Sequence, residues 1–129
     1  MTNSEKHILI VEDSEETARL LMHCLTAKGF RVSWVGDGAD GLRVAVEARP
    51  DLVILDLGLP GLSGEEVCRT IKDSYDREIR EIPILVVTGK NAEADRVLVR
   101  AYGADAFVSK PFDLGFLVGQ IEELLGLSV

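Results

Sequence analysis

Five short apolar runs recur at similar intervals along the chain: His7–Val11, Arg31–Val35, Leu52–Asp56, Ile84–Thr88 and Ala106–Ser109. Each has the length of a β-strand, and most are rich in Ile, Val or Leu. The first, third and fourth are almost continuously hydrophobic. A strand with one face in water alternates apolar and polar residues, whereas an unbroken run suits a strand covered on both faces in a parallel sheet. These three are therefore expected at the centre of the sheet.

Helical patterns fill the intervals. Ser14 is a plausible N-cap with Glu15 and Glu16 in the first turn, and Ala18, Leu21, Met22 and Leu25 follow at i, i+3, i+4 and i+7 before Gly29 stops the helix. Ala94, Val97, Leu98 and Ala101 repeat the spacing ahead of Gly103, and Leu114, Leu117, Ile121, Leu124 and Leu125 form a last stripe. Weaker helical segments are expected over about 39–48, ahead of Pro50, and about 64–74. The stretch 72–81 reads as a charged, solvated connection before Pro83. Five strands alternating with five helices imply right-handed crossovers: a doubly wound α/β fold, mostly parallel, with helices on both faces. Sites in such folds form outside the carboxyl ends of the strands, so the strand-end residues matter most.

Size and charge narrow the function. A chain of 129 residues, 47% hydrophobic and 28% charged, is read as one domain over 1–129 with its core at about 6–126 and no output domain after the last helical stripe. A net charge of −8 without a basic stripe argues against nucleic acid, because phosphate-backbone binding needs clustered Lys and Arg. No apolar run approaches the roughly 18 residues of a membrane span, and the polar start Met1 to Lys6 lacks a signal-peptide core, so no membrane contact and a cytoplasmic location are expected. Cys24 and Cys68 lack metal-site or redox-motif spacing and read as reduced structural thiols. His7 and His23 have no partner at ligand spacing.

The strand ends carry the chemistry. The first closes on Glu12 and Asp13, the third on Asp56, the fourth on Thr88, the fifth on Ser109 and Lys110. Any one of these acids could simply cap a helix or form a turn. Together, three carboxylates at one sheet edge repel and require a proton or a cation. All-oxygen ligands without His or Cys point to Mg²⁺ or Mn²⁺. Asp56, delivered by the apolar run Leu52-Val53-Ile54-Leu55, and Lys110, held before Pro111, are the least easily explained as surface charges.

Val11-Glu12-Asp13, Leu55-Asp56 followed by Leu59-Pro60-Gly61-Leu62-Ser63-Gly64, Val87-Thr88-Gly89 and Ser109-Lys110-Pro111-Phe112 together resemble the receiver domains of bacterial response regulators, over nearly the whole chain. The resemblance implies a flavodoxin-like strand order 2-1-3-4-5 and a two-component signalling role. It makes Asp56 the acceptor of a phosphoryl group from a sensor histidine kinase or histidine phosphotransfer protein. It also makes Asp13, Asp56, Glu12 and the Leu57 backbone carbonyl the Mg²⁺ ligands, and Lys110 and Thr88 the groups that meet the phosphoryl oxygens. Thr88 and Phe107 would be the switch, Phe107 standing where relatives commonly have Tyr, and the Lys110–Pro111 peptide would be cis. Gly58 and Lys90, two residues beyond Asp56 and Thr88, would tune the phosphoryl lifetime. Output would pass through the helix after the fourth strand, the fifth strand and the last helix, to a downstream protein or an output domain in another chain.

Such a domain is no enzyme apart from catalysing its own phosphorylation and dephosphorylation. Two alternatives stand beside it. A receiver-like binding module acting without phosphorylation would be expected to lack an acidic or Lys position, and none is missing. A phosphatase of the haloacid-dehalogenase type wants a second acid two residues after its nucleophile, where Gly58 stands. Trp34, at the end of the second strand and away from Asp56 in the expected topology, is expected to pack and to be a poor fluorescent reporter of metal binding.

Overall fold

The computed structural model describes residues 6–89, 97 and 100–127. Five parallel strands, β1 (His7–Val11), β2 (Arg31–Val35), β3 (Leu52–Asp56), β4 (Ile84–Thr88) and β5 (Ala106–Ser109), form one sheet in the order β2-β1-β3-β4-β5. Around it pack α1 (Glu15–Ala27), α2 (Gly38–Ala48), α3 (Gly64–Lys72), α4 (Arg77–Arg80) and α5 (Leu114–Leu124). The fold is the expected doubly wound α/β arrangement, and the bounds of all five strands are those read from the apolar runs.

Side-chain alternation along the strands divides the core in two. Leu9, Val11, Val53, Leu55, Ile84 and Val86 point to one face and meet Ala45 of α2, Val67, Cys68 and Ile71 of α3, and Ile79 of α4. Ile8, Ile10, Leu52, Ile54, Leu85, Val87 and Val108 point to the other and meet Leu21 and Leu25 of α1 and Leu117, Val118 and Ile121 of α5. β3 and β4 are buried at every residue and β1 at all but His7, while β2 and β5 are more open. An unbroken apolar run is thus the mark of a strand that supplies both cores.

The helix punctuation is chemical. Ser14 Oγ accepts from Thr17 N–H, and Asp37, Ser63 and Asp113 cap α2, α3 and α5 in the same manner. Gly29 and Gly103 adopt the positive φ values of 96° and 92° that let the chain turn out of a helix. Cys68 is buried and Cys24 half-buried, both free thiols. Among the described residues, no helix is long and apolar enough to cross a membrane.

One expectation needs correction. The 72–81 connection is not merely a solvated loop: Asp76 caps the short α4, which buries Ile79 against the α2/α3 core. Arg49, at a left-handed φ of 48° after α2, ties α4 down by reaching Asp76 at 2.6 Å and Glu78 at 3.1 Å. In the stripe ahead of Gly103, Val97, Arg100 and Ala101 are helical as the spacing predicts, and Val97 and Ala101 are exposed. Ala94 and Leu98 of that stripe lie outside the described residues.

Candidate functional site

The register of the sheet assembles the site. Val11 pairs with Leu55 and Asp56 with Val87, so Glu12, the next residue after Val11, stands level with Asp56 on the neighbouring strand. Thr88 pairs with Ser109, and Lys110 N–H donates to the Thr88 carbonyl at 2.8 Å, carrying the β4–β5 ladder one residue further. Four strand ends therefore open on one rim. The Lys110–Pro111 peptide is cis, as the resemblance implied.

At that rim one carboxylate oxygen from each of Glu12, Asp13 and Asp56 lies within 4.8 Å of the other two. Glu12 and Asp56 are 3% and 8% exposed, whereas Asp13 faces solvent. Lys110 Nζ reaches Glu12 Oε1 at 2.8 Å and Asp56 Oδ2 at 3.4 Å. Ser14 N–H donates to Glu12 Oε2 at 3.0 Å, and Gly58 N–H donates to Asp56 Oδ1 at 3.1 Å. Three carboxylates confront one ammonium, so negative charge is left over at a partly desolvated edge.

The strain shows in the proton affinities. Burial pushes the Glu12 carboxyl up to about 7, and the neighbouring Asp56 carboxylate adds to the rise while the hydrogen bond from Lys110 opposes it. Burial alone would lower Lys110; its bond to Glu12 and the field of Asp56 outweigh this and raise it. The donor set fits a hard divalent cation. All three groups are oxygen donors, their spread is close to the about 4 Å that separates opposite oxygens around Mg²⁺, and a cation would relieve the repulsion that raises Glu12.

The remaining expected residues fall around this cluster. Thr88 is 1% exposed at the end of β4. Phe107 is half-buried on β5, opposite Val86, and packs against the α2/α3 core. The Leu57 side chain is buried just past Asp56, and Gly58 is exposed. Lys90 lies outside the described residues.

Sequence reasoning missed two supports. Gly64, the first residue of α3, stands so close to the turn after β3 that a Cβ there would overlap the Asp56 carbonyl and come within 2.8 Å of Leu57 Cα. A glycine directly after the N-cap Ser63 was the available signal of a close backbone approach. Trp34 was expected to pack far from the site. It does pack against the α1/α5 core, but its indole N–H also donates to the Glu12 carbonyl at 2.7 Å. No spacing in the sequence could have disclosed that bond.

A 2-1-3-4-5 parallel sheet with an acidic cluster and a lysine at its carboxyl rim defines the receiver class of signalling domains. Residues 8–122 match the family described as response regulator receiver domain, and the chain belongs to that family. It is similar to the response regulator ArlR of Staphylococcus aureus, at 42% identity over 118 residues, which are 92% of this chain and 52% of that protein. The chain thus spans about half the length of the curated relatives it matches. Among solved structures it resembles the signal receiver domain of a signal transduction histidine kinase from Syntrophus aciditrophicus, with a TM-score of 0.86 and 34% identity, over 94% of this chain and 90% of that one. It also resembles the receiver domain of the sensor histidine kinase PA1611 from Pseudomonas aeruginosa, solved with a magnesium ion coordinated in the active site cleft. That match has a TM-score of 0.85 and 29% identity, over 94% of this chain and 98% of that one. The protein is a response-regulator receiver domain of two-component signalling.

Proposed function

We propose that this receiver accepts a phosphoryl group on Asp56 and thereby switches a protein-binding surface. The observation that carries the reading is the Lys110 ammonium set between Glu12 and Asp56 at the rim where Asp13 completes the acidic cluster. A carboxylate oxygen of Asp56 attacks the phosphorus of a phosphohistidine on a sensor kinase or phosphotransfer protein. An acyl phosphate forms as the nitrogen–phosphorus bond breaks, and the departing imidazole takes the electron pair. Lys110 neutralises the transferring oxygens in place, where positioning and electrostatics supply most of the rate. Glu12, Asp13, Asp56 and the Leu57 carbonyl would hold Mg²⁺ or Mn²⁺, which when bound supplies further neutralisation of the phosphoryl charge. The Thr88 hydroxyl would bond the new phosphoryl group, and its movement, followed by Phe107, would alter the surface around β5 and α5.

A groove of about 440 Å³ lined by Thr17, Leu20, Gly89, Lys110, Pro111 and Phe112 opens beside the cluster and offers an approach for the donor. The domain turns over no external metabolite. Its output goes to a downstream protein or to an output domain, and the proposed compartment is the cytoplasm. Residues 1–129 are read as a single receiver unit.

Incubation with acetyl phosphate and Mg²⁺, followed by intact-mass measurement, tests the reading. The wild type is expected to gain the mass of one phosphoryl group and Asp56→Asn to gain none. A gain that survives Asp56→Asn removes Asp56 as the acceptor. No gain in the wild type leaves a binding module acting without phosphorylation, and rapid hydrolysis of a generic phosphate ester would instead mark a phosphatase.

A further inference from the structure

The one tryptophan of the chain is tied to the acidic rim by a bond that the phosphoryl chemistry does not itself call for. Trp34 pairs with Ile10 across the β1–β2 ladder, and its ring packs against the α1/α5 core. The Val35 carbonyl accepts from Glu12 N–H at 3.1 Å, which is the last main-chain bond between the two strands. The next polar group along the chain is the Glu12 carbonyl. It lies beyond the reach of strand pairing, and the Trp34 indole N–H donates to it at 2.7 Å.

That carbonyl belongs to the peptide unit leading into Asp13. The direction of the carbonyl fixes the plane of this peptide and with it the place of Asp13 Cα, so of the rotations that aim the Asp13 side chain only those within Asp13 itself are left. The Glu12 side chain is already held on both oxygens, by Lys110 and by Ser14 N–H. Asp13 has no such support: among the described residues its carboxylate forms no hydrogen bond, and it faces solvent. Its aim depends on the backbone that carries it. Outer groups that orient ligands contribute to metal affinity without touching the ion.

We infer that Trp34 is a positioning residue for the acidic pair: its indole N–H locks the Glu12–Asp13 peptide and so presets the Asp13 carboxylate for a divalent cation. The inference rests on the cation-binding reading of the cluster. It is separable from packing, because a phenylalanine would cover much of the same apolar surface but has no N–H to donate.

Mg²⁺ alone is titrated into the full chain by calorimetry, well below the melting temperature, for the wild type, Trp34→Phe and Val32→Ala. Val32 lies on the same strand and packs against the same core, opposite Ile8 at the far end of the ladder from Glu12, so its truncation loosens β2 without removing the indole bond. Trp34→Phe is expected to weaken Mg²⁺ binding about three- to ten-fold, the scale of one lost hydrogen bond, while Val32→Ala stays within about two-fold of the wild type. The wild-type indole ¹H–¹⁵N resonance is expected to move on saturation with Mg²⁺. Trp34→Phe binding as tightly as the wild type overturns the inference, as does an equal loss in Val32→Ala or an indole resonance that Mg²⁺ leaves in place. A wild type that binds no Mg²⁺ defeats the cation reading itself, a result distinct from normal wild-type binding that Trp34→Phe leaves unchanged.

Discussion

Glu12 is the residue at which fold and chemistry conflict most directly. Its carboxyl is driven from 4.5 up to about 7 by burial next to Asp56, even with Lys110 bonded to it. A carboxyl whose folded pKa is raised keeps its proton in the native state over a range where the unfolded chain has released it. Its contribution to stability is therefore full below about 4.5 and is lost as pH rises through about 7. Gln resembles the protonated form, so Glu12→Gln should flatten this dependence. Without divalent cations, the melting temperature of the wild type should fall relative to Glu12→Gln between about pH 5 and about pH 8; a constant difference across that window would contradict the shift. Gly58 makes a kinetic test. Its N–H holds Asp56 Oδ1 and it is exposed at the rim. Gly58→Asn should change the lifetime of the phosphorylated form while the circular dichroism spectrum stays that of the wild type. An unaltered dephosphorylation rate would remove Gly58 from any tuning role.

At the level of the elements, the strands were legible and some of the helical detail was not. Apolar runs mark buried parallel strands because each residue of β3 before Asp56, and of β4 before Thr88, is buried whichever face it serves. Helical spacing says less about burial: Val97 and Ala101 are helical as their spacing predicts, yet exposed. α4 escaped notice because four residues are too few to display a period, and Ile79 is its single buried side chain. Long-range ties are equally invisible in one dimension. Asp105 Oδ2 accepts from Lys72 Nζ and from Ile84 N–H, both at 2.8 Å, fastening the end of α3 and the start of β4 to the entry of β5. Asp105→Ala leaves the partly buried Ile84 amide without its acceptor and should cost about 1–3 kcal/mol, read as a lower midpoint in urea with the same slope. A midpoint within error of the wild type would show that water replaces the carboxylate at no cost.

For the whole molecule, the convergence of strand ends makes stability answer to the cation. A ligand that binds only the folded state stabilises it by mass action, and here it also relieves carboxylate repulsion. Mg²⁺ at about 100 times its dissociation constant should add about 2.7 kcal/mol, a rise on the order of 10 °C in melting temperature for a domain of this size. Asp13→Asn should lose most of that rise. A wild type indifferent to millimolar Mg²⁺, or an Asp13→Asn that responds as strongly, would refute the site. The sequence by itself determined the five strands, their central or outer rank, the Ser14 cap of the first helix, and the acids, threonine and lysine that end the strands. Those features are local: apolar periodicity and capping act within a few residues and can be read in order. Only the tertiary structure decided that Lys110 bridges Glu12 and Asp56, that Gly64 leaves room for the Asp56 turn, and that Trp34 reaches the Glu12 carbonyl. These contacts join residues 22 to 98 positions apart or depend on the fit of one backbone against another. Distances of that kind exist only once the sheet has set its register and the helices have closed over it.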